Sequence, residues 1–130
     1  MYIRDRKVII SAAITGATHV PSLSPYLPKN PDEIIRSAIE ANRAGAAVVH
    51  IHARDIEGKP TTDHGIFCYI LSSIARECDA VIGITTGGGN GMSVEERFSV
   101  IRKFQPEMAS ANGGSMNFCY NRLLDGVEQT

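Results

Sequence analysis

The chain has 130 residues, 43% of them hydrophobic and 21% charged, with a formal net charge of -1. That is enough apolar material for one packed core, and it leaves no basic footprint for nucleic acid or an anionic membrane. No apolar run approaches the roughly 20 residues of a membrane helix, and the charged opening residues 1–7 lack a signal-peptide core.

The pattern along the chain predicts strand, helix, strand, helix, strand, helix, strand. Residues 7–13, with Val8-Ile9-Ile10 at their centre, read as the first strand. A long loop follows over 15–30, where Pro21, Pro25 and Pro28 block regular structure. Loops of that length are often functional. Asn30-Pro31-Asp32-Glu33 opens a helix: a capping amide, a proline suited to the first turn, and a glutamate at capping-box spacing. Ile34, Ile35, Ala38, Ile39 and Ala41 give it one apolar face, and Gly45 ends it. The second strand covers 46–53. A turn at 56–60 leads to a helix from about His64 to Glu77, and the third strand runs over 79–86. After the glycine-rich stretch at 87–91, Ser93-Val94-Glu95-Glu96 forms a capping box for a helix reaching Phe104. Residues 107–112 make the fourth strand.

Alternation at this spacing implies parallel strands with right-handed crossovers. An open doubly wound sheet and a piece of a (β/α)8 barrel both satisfy it. All four strands end in polar or glycine-rich residues, which favours a barrel mouth where every strand faces one site. A whole barrel needs about 250 residues. The expected fold is therefore α/β, about the first half of a TIM-type barrel, forming one partial domain over 1–130.

His50-Ile51-His52 is the sharpest chemical signal. Residues two apart on a strand share a face, so Val48, His50, His52 and Arg54 point one way and Val49, Ile51 and Ala53 the other. Two imidazoles that close suit a shared divalent cation such as zinc. Two core histidines bonded to neighbouring hydroxyls would give the same spacing. Arg54-Asp55 reads equally as an ion pair at a strand end or as an orienting pair. Thr85-Thr86-Gly87-Gly88-Gly89-Asn90-Gly91 fits neither a Walker A loop nor a dinucleotide fingerprint. Its amides could hold a carboxylate, with the helix at Ser93 adding a favourable dipole, or it could be a plain flexible turn. Ser110-Ala111-Asn112 and Ser115-Met116-Asn117 offer hydroxyls and amides for a substrate but no base to activate a nucleophile. His19 lies within reach of the mouth, and His64 reads as a solvated or capping residue. Cys68, Cys78 and Cys119 are odd in number and lack C-x-x-C spacing, as expected of reduced packing thiols in a cytoplasmic protein.

These stretches in this order resemble the β-keto acid cleavage enzyme family. The matching segments are Ser11-Ala12-Ala13-Ile14-Thr15-Gly16-Ala17, Pro21 to Pro28, Gly45 to Asp55, Gly58-Lys59-Pro60-Thr61, Thr85-Thr86-Gly87-Gly88, Met92 to Arg97, and Pro106 to Phe118. The resemblance implies a zinc-binding (β/α)8 barrel that takes a β-keto acid and acetyl-CoA and yields acetoacetate and a new acyl-CoA. It implies His50 and His52 as zinc ligands, and Thr85, Gly87, Gly88 and Ser110 as positions that hold the keto acid, to which the amide of Asn112 adds a further substrate-binding candidate. Family members are about twice this long. Their third zinc ligand, a glutamate, and their Arg–Asp acid–base pair lie in a second half that has no counterpart here, so no catalytic acid–base residue is assigned and a truncated enzyme is expected. Members acting on amino-bearing keto acids carry an acidic residue where this chain has Thr18, so a substrate without an ammonium group is expected. The partners implied are these small molecules and, because a half-barrel exposes strand edges, a second copy in a homo-oligomer. Two other classes fit the residues: a non-catalytic half-barrel serving as a metal-binding or assembly module, and a class II aldolase-like metal lyase.

Overall fold

A computed structural model of the chain describes residues 7–89 and 91–112, together with the backbone of 122–124 and 127–129. Asn90, Ser115, Met116, Asn117, Phe118 and Cys119 lie outside the described residues.

Four strands, β1 (Ser11–Ala13), β2 (Val48–Ile51), β3 (Val81–Ile84) and β4 (Met108–Ala109), form one parallel sheet in the order β1-β2-β3-β4. Three helices connect them: α1 (Pro31–Arg43), α2 (His64–Glu77) and α3 (Val94–Phe104). When consecutive parallel strands are neighbours and every crossover has the same hand, all the helices must fall on one face of the sheet. The core shows that they do. Ile34 and Ala38 of α1, Phe67, Ile70 and Ile74 of α2 and Val100 of α3 join Val49, Ile51 and Ile84 of the strands in one buried cluster. A doubly wound sheet would place helices on both faces; this arrangement is the wall of a barrel.

The opposite face carries the second set of alternating residues. Register aligns Ala13, His50, Gly83 and Met108 in one row across the four strands. Partners in a parallel ladder share a face. That row is only lightly covered: Met108 is 48% exposed and Ala13 is exposed. The sheet is thus apolar and sealed beneath its helices, and open where a barrel has its interior.

The elements begin and end for local reasons. Asn30 caps α1 by accepting a bond from the Glu33 amide at 3.0 Å, with Pro31 in the first turn. The Glu33 carboxylate reaches one residue further back than a capping box requires, to the Lys29 amide at 2.7 Å. Gly45, at φ +109°, takes the left-handed conformation that ends the helix, as expected of glycine there. Asp63 caps α2 through the Ile66 amide at 2.8 Å, so His64 is the first helical residue rather than the cap. At α3 the capping box is complete: the Ser93 hydroxyl accepts from the Glu96 amide, and the Glu96 carboxylate accepts from the Ser93 amide at 2.7 Å. Ser93→Ala is expected to cost about 1 kcal/mol of stability, read as a lower urea midpoint at unchanged slope.

The strands are shorter than the sequence suggests. Pairing of β1 starts where the Ile10 carbonyl accepts from Ala47 and Val48, and residues 7–9 continue past it without a ladder partner among the described residues. β4 keeps two of the six predicted residues. The proline-rich loop contains one turn of 3-10 helix at Pro21–Leu23. An antiparallel pair, β5 (Arg122–Leu124) and β6 (Val127–Gln129), follows where no element was predicted.

Candidate active site

β2 delivers both histidines to the open face. The His50 and His52 ring centroids are 5.2 Å apart with planes at 77°. The two side chains converge, as their spacing predicts. His50 lies over Gly83, where an added Cβ would meet its Nδ1 at 3.5 Å and the Val49 carbonyl at 3.8 Å. Alanine would just fit there, but a branched side chain would push the imidazole aside. Around His52, a Cβ on Gly87 would come within 3.9 Å of the ring carbon Cε1 and 3.4 Å of the Thr85 hydroxyl. The glycine-rich loop is therefore packed directly against the second histidine.

Burial sets the charge state. His52 is pushed down to about 4, first by desolvation and then by electrostatic repulsion from its neighbours His50, Arg54 and His19. Desolvation also lowers His50. Both rings are held neutral at physiological pH, which leaves each a nitrogen lone pair for a metal. Two neutral, converging imidazoles fit part of a zinc site. A third donor does not appear among the described residues, where no group of three histidine, cysteine or acidic side chains gathers.

The hydroxyls at the strand ends are already oriented. Thr85 Oγ1 accepts from the Gly87 amide at 2.9 Å, and Ser110 Oγ accepts from the Thr86 amide at 2.9 Å. The Thr86 hydroxyl returns a bond to the Ser110 carbonyl at 2.9 Å, latching β4 to the end of β3. The Thr85 hydroxyl in turn donates to the Gly87 carbonyl over a long 3.4 Å. Asn112 is exposed three positions beyond the end of β4 at Ala109. It is not part of the cleft that joins His52, Thr85, Gly87 and Gly88. Arg97, from the first turns of α3, also lines that cleft, with its Nε bonded to the Met92 carbonyl at 3.1 Å. Its place directly after the glycine loop was the only sequence sign of this role. The cleft holds about 10 Å³, less than a keto acid needs. A larger cavity, about 480 Å³, sits at the other end of β3, beside Asp79, Ala80 and Cys78, away from the polar strand ends.

Arg54 departs from the ion-pair reading. It forms no ion pair with Asp55: the salt bridges among the described residues are Lys59–Glu57 and Arg102–Glu95, both exposed. Asp55 instead accepts from the Glu57 and Lys59 amides, each at 2.9 Å, and so shapes the turn. Arg54 is 1% exposed and turned toward the first loop. His64 is exposed, with Nε2 3.2 Å from the Ser99 hydroxyl.

With this geometry in place, the comparisons with known proteins agree on one family. The family model described as "beta-keto acid cleavage enzyme" matches residues 7–129. A 3,5-dioxohexanoate:acetyl-CoA acetone transferase of Paraburkholderia graminis is 54% identical over 125 residues, which is 95% of this chain and 40% of that protein. A 3-keto-5-aminohexanoate cleavage enzyme of Acetoanaerobium sticklandii is 42% identical over 123 residues, 94% of this chain and 45% of that one. A solved structure, the ternary complex of ObcA with C4-CoA adduct and oxalate, aligns with 68% of this chain and 24% of its own, with a TM-score of 0.57 and 27% identity. The chain thus spans less than half the length of these curated relatives. A sheet opening onto two histidines and a model match over nearly its whole length lead to one conclusion: the chain belongs to the beta-keto acid cleavage enzyme family.

Proposed function

We propose that this chain carries the metal-holding and carboxylate-holding part of an enzyme that exchanges acyl groups between a β-keto acid and acetyl-CoA, giving acetoacetate and a new acyl-CoA. The observation that carries the reading is the pair of neutral imidazoles, His50 and His52, converging on the open face beside preset hydroxyls and glycine amides. These histidines would hold zinc, which when bound acts as a Lewis acid toward the β-keto oxygen. The chain's own residues do the rest of the positioning. Thr85 and Ser110 have their hydroxyl oxygens fixed by backbone amides, and with Gly87, Gly88 and Asn112 they supply polar groups for the substrate carboxylate. Gly83 leaves the room that His50 occupies.

The substrate side chain lacks an ammonium group in this reading. Thr18 stands where an acid would be needed to meet one, and the relative named for a dioxohexanoate is the more similar of the two compared above. No described helix is long and apolar enough to cross a membrane, and Cys68 and Cys78 are free thiols, in keeping with a reducing cytoplasm. The outer edges of β1 and β4, which have no ladder partner among the described residues, favour self-association.

The test is to load the purified chain with zinc, wash it, and supply acetyl-CoA and 3,5-dioxohexanoate. Zinc is expected to stay bound near one per chain, with slow, zinc-dependent acetoacetate formation. Loss of all zinc on washing would overturn the assignment, and aldol cleavage in place of thioester formation would move it to a class II aldolase-like lyase. Retained zinc without turnover supports a second reading, a metal-binding module.

A further inference from the structure

Arg54 is the largest fully buried side chain, and its charge has no acidic partner within salt-bridge distance among the described residues. A guanidinium is costly to bury unless its donors are met. Here they are met by neutral oxygens from separate parts of the chain. Nε donates to the Thr15 hydroxyl at 3.1 Å, and Nη1 donates to the Gly58 carbonyl at 2.6 Å. A single nitrogen, Nη2, donates to the Gly16 carbonyl at 2.7 Å and to the His19 carbonyl at 2.6 Å. Both ends of the short arc from Gly16 to His19 are therefore tied to one atom. Within the arc, Ala17 lines the cleft it shares with His52, and the His19 ring folds against Gly16, where an added Cβ would meet Nδ1 at 2.9 Å.

We infer that Arg54 is a positioning residue that pins the Gly16–His19 arc to the end of β2 and so builds the wall beside His52. The planar fork is needed for this. It spans a hydroxyl and three carbonyls in fixed directions, whereas a lysine ammonium presents its donors from one point and cannot reach all four. The acceptors on the first loop lie 35 to 39 residues away in sequence, so the bonds join the loop to the sheet rather than tidy a local turn. The zinc part of the test rests on the proposed function; the loop part does not.

Hydrogen exchange followed by mass spectrometry on the metal-free chain reads the loop directly. In Arg54→Lys, amides in 16–20 are expected to exchange at least about tenfold faster, while those of α2 change less than about twofold. Thr15→Val removes one acceptor and is expected to shift the same loop amides in the same direction by less, which keeps the test valid if the lysine variant folds poorly. Zinc affinity, measured by competition with a chromogenic chelator, is expected to fall about tenfold in Arg54→Lys, as for other outer-sphere orienting groups. In Arg54→Ala, millimolar guanidinium is expected to restore loop protection, which a merely space-filling role would not allow. Unchanged loop exchange in both variants, or loop and α2 loosening in parallel, would overturn the inference. Wild-type protein that binds no zinc yet shows the loop effect would refute the metal assignment and leave the positioning role standing.

Discussion

Zinc binding is expected to weaken about a hundredfold or more in His52→Ala and in His50→Ala, and to be unchanged in His64→Ala. Removing a group that only orients a ligand costs 10–100-fold in metal affinity, so deleting a ligand itself costs at least the upper end of that range. The two rings are 5.2 Å apart and both are kept neutral, so neither can be replaced by the other's second nitrogen. His64 lies on the helical layer, exposed beside Ser99 and Phe104, and serves as an internal control for nonspecific binding. Neither His50 nor His52 belongs to the buried apolar cluster, so far-ultraviolet circular dichroism should match wild type. Calorimetric titration with zinc gives the affinities. An alanine variant that binds within threefold of wild type would show that the ion sits elsewhere.

What the sequence disclosed depended on whether the cause was local. The α3 start was legible because a capping box needs only Ser93 and Glu96, and the end of α1 because glycine at φ +109° needs only Gly45. The convergence of His50 and His52 was legible because strand geometry alone puts alternate residues on one side. The choice of barrel over doubly wound sheet rested on the polar strand ends, and the strand order with its one-sided helices bears it out. The lengths of β1 and β4 were not legible: Val8 and Ile9 have ideal strand chemistry, but a strand extends only as far as a neighbour pairs with it. Arg54 was misread for a related reason. Three of its four partners are main-chain carbonyls, those of Gly16, His19 and Gly58, which leave no mark in residue identity, whereas the adjacent Asp55 suggested an ion pair that the fold does not make. Ser110 was marked for substrate, and the structure shows that it also latches β4 to Thr86, a role visible only once the register is known.

The metal-stripped chain is expected to lose stability as pH falls from about 6.5 to about 4, with the His52 share of the loss complete at the lower end. His52 titrates at about 4 in the folded protein, against 6.5 when solvated. Between those values the unfolded chain holds a proton that the folded chain refuses, so stability rises with pH throughout that window. The contribution is complete above about pH 6.5 and is lost on the way down to about 4, where both states are protonated. A separation of that size corresponds to about 3 kcal/mol at most. His50, lowered by desolvation in the same direction, adds to the slope. Urea midpoints across the window measure it, and His52→Gln, which has no proton to take up, should flatten most of the curve. The same burial protects metal binding from acid. A solvent-exposed histidine ligand begins to lose its metal to protons near pH 6.5, whereas His52 should compete successfully until the pH nears 4. Midpoints that stay level between neutrality and pH 4 in the stripped wild-type chain would mean that His52 is solvated. The desolvated pair proposed as the metal site would then not exist in solution.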